Sequence, residues 1–152
     1  MNLLAIALAV SIAQGPQGPM PAVGDVVPPF EAVGLDGRPV KVEYPKGSST
    51  VLLFFLSSCQ TCHRMIPEWS RLYGRKPREL RVYGVLLDQE PPGFFMAMPV
   101  AFPVLRGPGG EFNRSYKLSQ VPLTLRVGPG GRVADVGVGK VDAMRLGELF
   151  RP

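Results

Sequence analysis

The sequence predicts a single α/β domain in which helices flank a mixed β-sheet and a β-hairpin extends the N-terminal side. Residues 51–56 are six consecutive apolar residues, typical of a strand buried on both faces. From Cys59 the apolar period becomes helical, and residues 81–87 form a second apolar strand, so the pair is predicted to be parallel. Near the C-terminus, strand-like residues 123–127 and 132–138 enclose a Gly-Pro-Gly-Gly turn, typical of an antiparallel hairpin.

The N-terminal hairpin and the first helix have clear local signals. Asp36-Gly37 favours a tight turn between short strand-like runs in residues 32–42. Ser57 and Ser58 are suitable helix caps, Pro67 is predicted to kink the helix as a structural residue, and Gly74 to end it. The helix's apolar stripe comprises Met65, Ile66, Trp69, Leu72 and Tyr73.

Shorter elements are predicted in the second half of the chain. Pro91-Pro92 can open a short helix that runs through Met96, residues 102–105 form a brief extended piece, and residues 111–118 form another short helix. Asp142 is predicted to cap a C-terminal helix.

The first 23 residues look like an export signal followed by a linker. Apolar residues 3–10 precede Ser11 and Ala13, a pattern that suits signal-peptidase cleavage after Ala13, although no Lys or Arg occurs before Arg38. We therefore interpret residues 1–13 as a signal peptide or short anchor, 14–23 as a linker and 24–152 as the domain. An apolar N-terminal strand is the alternative for the first segment.

Composition excludes several classes of protein. The 152 residues are 45% hydrophobic, which is enough for one globular domain with a core, and two cysteines cannot staple a miniprotein. His63 is the sole histidine, so a multi-histidine metal site is excluded and no metal is expected. The net charge of +5 would suit an anionic partner, but the basic residues of the 71–81 stretch lack the interleaved aromatics of a base-stacking surface, so nucleic acid is not expected.

Cys59 and Cys62 form a C-x-x-C motif where a buried strand meets a helix. Unpaired N–H groups and the partial positive charge of the first helical turn stabilise a thiolate, the reactive form of cysteine. Three residues apart, the two sulfurs lie on one helical face and can close a disulfide. Cys59 is predicted to attack a substrate disulfide and Cys62 to resolve the mixed disulfide.

The same segment, extended by His63, also fits the C-x-x-C-H signature of covalent haem attachment, with His63 as iron ligand. A buried strand directly before the motif disfavours this alternative, because c-type cytochromes are mostly helical. A sixth ligand would have to be a methionine such as Met96 or Met98.

Taken together, these residues resemble the thioredoxin superfamily, and more narrowly the exported TlpA/ResA-type and MauD-like thiol–disulfide oxidoreductases. The resemblance covers residues 24–150 and implies a thioredoxin-like fold. It makes Val121-Pro122 the counterpart of the family's cis-proline segment, so that Val121 and Pro122 are expected to contact substrate. We expect Gln60 and Thr61, between the two cysteines, to contact substrate as well.

The chain departs from the family pattern at the residues that tune the cysteines. Ser58 replaces the usual Trp before the first cysteine, Leu53 replaces thioredoxin's buried Asp, and Met65 replaces a Glu frequent in TlpA/ResA-type proteins. Glu68 is only a distant candidate for a carboxylate that tunes Cys62. A peroxiredoxin-like activity is an alternative, but it needs a Pro and a Thr before the cysteine, and residues 51–58 contain neither.

The resemblance implies an extracytoplasmic enzyme, in the periplasm or on the outer face of the membrane, with tethering through the N-terminus as one option. It implies a redox-active disulfide, no bound cofactor and a monomer. The partners are substrate proteins with disulfides or thiols and an upstream thiol electron donor, with a membrane-embedded protein as one option. Family analogy alone suggests cytochrome maturation.

A binding module without catalysis is a third hypothesis. Its docking patch would consist of apolar residues that we otherwise interpret as core: Phe94, Phe95, Met96, Met98 and Phe102.

Overall fold

The computed structural model describes residues 19–152. In the described part of the chain, seven strands form one sheet in the order β2-β1-β5-β4-β3-β6-β7. The strands are β1 (Phe30–Gly34), β2 (Pro39–Val42), β3 (Thr50–Phe55), β4 (Arg81–Leu86), β5 (Val104–Arg106), β6 (Leu123–Val127) and β7 (Val133–Val138). The helices are α1 (Gln60–Arg75), α2 (Phe94–Ala97), α3 (Gly109–Ser115) and α4 (Ala143–Leu149).

The sheet is mixed, as predicted. Strand β3 pairs in parallel with β4, and β4 in parallel with β5. Both hairpins are antiparallel, β1 with β2 and β6 with β7, and β6 also pairs antiparallel with β3. The βαβ unit and the two hairpins are therefore confirmed, and Gly37 takes the positive φ of 79° that its turn requires.

Helices cover both faces of the sheet and create two hydrophobic clusters. On one face, Leu52 and Phe54 of β3 pack in a cluster with Phe112 of α3. On the other face, Val51, Leu53 and Phe55 pack with α1 and α4. The α1 and α4 residues in that cluster are Cys62, Met65, Ile66, Trp69, Leu146 and Leu149. The α/β layering predicted from the sequence is confirmed.

Several predicted boundaries differ from those observed. Helix α3 begins at Gly109 and ends at Ser115, whereas residues 111–118 were expected; Tyr116 is extended, and its hydroxyl donates to the Val26 carbonyl at 2.6 Å. Strand β5 is Val104–Arg106, whereas residues 102–105 were expected; Phe102 precedes the strand and packs in the core against Trp69. Helix α1 continues past Gly74 to Arg75, with exposed Pro67 in its interior.

The structure describes part of the predicted linker and the whole C-terminal helix. The 1–13 segment and the first part of the predicted linker lie outside the described residues. Of that linker, Pro21 is buried, Met20 packs against the core, and the Pro19 carbonyl accepts from the Lys117 N–H at 3.3 Å. At the other end Asp142 caps α4 as predicted, accepting from the Arg145 N–H at 2.8 Å.

Gly84 of β4 and Gly74 of α1 allow a matched test of how tightly the core packs around Phe102. A Cβ at Gly84 would lie 2.6 Å from a Phe102 ring carbon, whereas a Cβ at Gly74 meets no atom within 4 Å. We expect Gly84→Ala to lower the free energy of unfolding by about 1–3 kcal/mol through overpacking. Gly74→Ala should raise it by about 0.5–1 kcal/mol, because alanine is the better helix former. Denaturant unfolding of both variants measures this; equal effects would contradict the packing described.

Candidate active site

The site lies at the end of the sheet where the parallel strands β3 and β4 have their C-terminal residues. Phe55, the last residue of β3, is in register with Leu86, the last residue of β4. The chain then turns through Ser57 and Ser58, and α1 begins at Gln60 with Cys59 as its N-cap. A helix N-terminus is thus placed at the end of a fully buried strand.

Cys59 and Cys62 form a disulfide with their Cα atoms 5.2 Å apart. The two sulfurs differ in access, because Cys62 is 0% exposed and Cys59 is partly exposed. The Cys62 N–H donates to Cys59 Sγ at 3.1 Å. In the reduced protein the same N–H can stabilise a Cys59 thiolate, which favours Cys59 as the attacking sulfur.

The predicted caps, Ser57 and Ser58, have a different role. Cys59 itself is the N-cap, and the serines direct their donors to Asp88 beyond the end of β4. The Ser57 N–H donates to Asp88 Oδ1 at 2.8 Å, while the Ser57 hydroxyl and the Ser58 N–H donate to Oδ2 at 2.8 and 3.3 Å. The prediction of a serine cap was wrong: α1 begins at Gln60, so Cys59 occupies the N-cap position and its Sγ accepts from the Cys62 N–H.

Asp88 is a site residue that the sequence analysis missed. Partial burial raises the pKa of its carboxyl, but hydrogen bonds from Ser57 and Ser58 outweigh burial and hold the pKa below its ordinary value. Asp88 is therefore an anion at neutral pH. The available signal was a carboxylate directly after a strand predicted to be parallel to the one that precedes Cys59.

His63 lies beside the same turn. Its Nε2 is 2.5 Å from the Ser57 carbonyl oxygen, an acceptor, so Nε2 carries the proton in this arrangement. The imidazole also packs near the Phe94 ring, with 5.7 Å between centroids. His63 thus connects α1 both to the Ser57 turn and to the short helix α2.

The predicted substrate contacts lie around the disulfide edge. Gln60 is exposed and Thr61 partly exposed on the first turn of α1. The Val121-Pro122 bond is cis, as expected, and it directly precedes Leu123, which pairs with Phe54 near the end of β3. Partly buried Val121 and Cys59 pack against the same hydrophobic cluster. The fold therefore brings Val121 and Pro122 to the same end of the sheet as Cys59, with Val121 partly exposed and Pro122 buried.

Helix α2 gives this edge an apolar side. None of its four residues is buried, and Met96 is 90% exposed. Phe94, Phe95 and Met98 are partly buried against the cluster that contains Cys62. The interpretation of this run as core is correct for buried Phe102 and wrong for Met96.

The two positions where the family pattern has a carboxylate carry apolar residues in this chain. Leu53 and Met65 are both buried in the apolar cluster around it. Glu68 pairs instead with Arg71, whose guanidinium donates at 2.8 Å. Within residues 19–152, no group of three or more His, Cys, Asp or Glu side chains could hold a metal ion. None of the helices described has the length and apolarity to cross a membrane.

The sequence profile of the AhpC/TSA family matches residues 23–136. The chain belongs to the AhpC/TSA family. The chain is also 25% identical over 134 residues to the thiol-disulfide oxidoreductase ResA of Bacillus thuringiensis subsp. konkukian, covering 85% of this chain and 77% of ResA.

Two solved structures extend the comparison. The structure of dsbF from MTB, in mixed oxidized and reduced forms, is 30% identical with a TM-score of 0.66, covering 80% of this chain and 92% of dsbF. A thiol:disulfide interchange protein of the thioredoxin family from Chlorobium tepidum is 20% identical with a TM-score of 0.69, covering 86% and 96% of the two chains. The fold is thioredoxin-like, and the predicted resemblance is confirmed.

The difference in access between the two sulfurs predicts their order of reaction. In reduced protein treated with limiting iodoacetamide, Cys59 should be alkylated at least about tenfold faster than fully buried Cys62. The rate should rise with pH through a Cys59 pKa below the free-thiol value of about 8.5. Peptide mass spectrometry identifies the modified residue; preferential alkylation of Cys62 would reverse the assignment.

Proposed function

We propose that this protein is an exported thiol–disulfide oxidoreductase that reduces disulfides of other proteins. The observation that carries the proposal is the Cys59–Cys62 disulfide at the start of α1, with one sulfur accessible, the other buried, and a backbone N–H directed at the accessible one. The AhpC/TSA membership and the named activity of ResA support the same chemistry.

The arrangement suits a two-step exchange. The Cys59 thiolate attacks one sulfur of a client disulfide, forming a mixed disulfide and releasing the client's other sulfur as a thiolate, which takes a proton from water. The Cys62 thiol then loses its proton to water, and the resulting thiolate attacks Cys59 Sγ. The second client sulfur leaves as a thiolate and takes up a proton. The client gains two electrons as a dithiol, and Cys59 and Cys62 lose two as a disulfide. An upstream thiol donor restores the dithiol.

Substrate contact is proposed for four residues at this edge. Gln60 and Thr61 lie beside the reacting sulfur on the first turn, and their exposure leaves room for a client chain. Val121 and Pro122 lie ahead of β6, opposite the end of β3. A client segment extended between the two pairs would bring its disulfide to Cys59. Pro67, in the interior of α1, is proposed to have a structural role only.

We propose that the exchange needs no bound cofactor, because the two cysteines carry both electrons. The haem alternative requires His63 as an iron ligand, and here its Nε2 is engaged with the Ser57 carbonyl. The peroxiredoxin-like alternative still lacks its Pro and Thr in residues 51–58.

The proposals on export, partners and assembly state are supported by the sequence pattern and by the family resemblance. The apolar residues 3–10, followed by Ser11 and Ala13, support passage out of the cytoplasm, with the N-terminus cleaved or serving as a tether. The clients are proteins with disulfides, cytochrome precursors among them by analogy, and the donor is an upstream dithiol protein, with a membrane-embedded one as an option. The protein acts as a monomer and without nucleic acid.

Turnover and trapping test the activity. Reduced wild type should reduce a model protein disulfide such as that of insulin, and Cys59→Ser should abolish turnover because the attacking sulfur is lost. Cys62→Ala should instead accumulate a mixed disulfide through Cys59, visible on non-reducing gels and identifiable by mass spectrometry in the native host. Retained turnover in Cys59→Ser, or peroxide consumption without disulfide reduction, would contradict the proposal.

A fusion experiment tests export separately. Alkaline phosphatase joined after residue 152 should be active when the chain begins at Met1, because that reporter needs an oxidising compartment for its disulfides. The matched control lacks residues 1–13 and should be inactive. Equal activity of the two fusions would show that the first segment does not direct export.

A further inference from the structure

The turn before Cys59 is held from two sides. On one side Asp88 accepts three hydrogen bonds, from the Ser57 N–H, the Ser57 hydroxyl and the Ser58 N–H. On the other side His63 Nε2 donates to the Ser57 carbonyl oxygen at 2.5 Å. We call Asp88, His63 and this turn the Ser57 clamp. Ser57 is only 6% exposed, so water does not readily replace these partners.

We propose that Asp88 is a positioning residue for Cys59: through the Ser57 clamp it fixes the sulfur where the Cys62 N–H can donate to it. The proposal rests on the proposed exchange activity and adds to it a residue from outside the C-x-x-C motif. Asp88 acts through Ser57 and Ser58, and the hydrogen bonds join residues 30 and 31 positions apart in sequence.

The geometry of Cys59 depends on the turn it follows. Cys59 has the extended N-cap conformation, φ −90° and ψ 112°, and its N–H donates to the Leu56 carbonyl at 3.3 Å across the clamp. With that conformation its sulfur lies 3.1 Å from the Cys62 N–H. A turn released from Asp88 would let Cys59 rotate away from this donor. A Cys59 thiolate that loses the hydrogen bond from the Cys62 N–H is less stable, so the pKa of the thiol rises.

Position and charge have opposite effects on Cys59, which makes the proposal testable. Removal of the carboxylate charge alone would lower the pKa of the Cys59 thiol, because a nearby anion disfavours a second one. Loss of the Cys62 N–H bond would raise the pKa. A purely structural role would lower the free energy of unfolding and leave the pKa unchanged.

The test measures the alkylation rate of Cys59 against pH and the turnover of insulin. Asp88→Ala should raise the Cys59 pKa and lower kcat/KM by about tenfold or more, a shift of one pKa unit being tenfold in thiolate fraction. Asp88→Asn keeps an acceptor for the Ser57 N–H and should restore kcat/KM to within about threefold. Ser57→Ala keeps the Asp88 charge and removes the hydroxyl that donates to Asp88. It should lower the Cys59 alkylation rate at pH 7 by about two- to threefold, and it replaces Asp88→Ala as the test if that variant does not fold.

Glu90→Ala is the matched control. Glu90 lies on the same loop and pairs with Arg106 through two hydrogen bonds, of 2.5 and 2.6 Å, without touching the clamp. It should leave the Cys59 pKa unchanged. A lowered or unchanged Cys59 pKa in Asp88→Ala, or an Asp88→Asn variant as impaired as Asp88→Ala, would overturn the proposal. Alkylation needs no client, so a wild type without turnover overturns the exchange activity and leaves the clamp test intact.

Discussion

Strand β3 lies between β4 and β6, and all six of its residues are buried. A strand in this position has apolar side chains on both faces, so both must be covered: α3 packs on one and α1 with α4 on the other. Pairing on both sides also fixes where the strand ends. Because Cys59 follows that end closely, the location of the reactive sulfur is a consequence of the same burial that forms the core.

The electrostatics of the site are supplied mainly by the backbone. Leu53 and Met65 make the surroundings of Cys62 apolar, which disfavours its thiolate, while the Cys62 N–H is directed at Cys59. We therefore expect the two cysteines of the reduced protein to differ in ionisation as well as in access. The carboxylate oxygens of Asp88 accept hydrogen bonds from Ser57 and Ser58 rather than from either cysteine.

Local sequence signals were sufficient where one element determines its own shape. The apolar run of β3, the Asp36-Gly37 turn and the Asp142 cap were all predicted because each signal acts within a few residues. The bounds of α3 and β5 were not, since the flanking residues Tyr116 and Phe102 make contacts with residues far away in sequence, Val26 and Trp69. Cys59 and Cys62 were found as neighbours in sequence; Asp88 was missed because its hydrogen bonds cross from one strand end to another.

The outer strand β2 has a consequence for self-association. It is one edge of the sheet, and an edge strand offers unpaired N–H and C=O groups to any other extended chain. Pro39, at its first position, has no N–H to offer, and Lys41 forms an ion pair with Glu43 at 2.9 Å that a second sheet would have to desolvate. At this edge the protein is therefore poorly suited to seed fibrils or to add strands from unfolded chains, including those that an oxidoreductase meets.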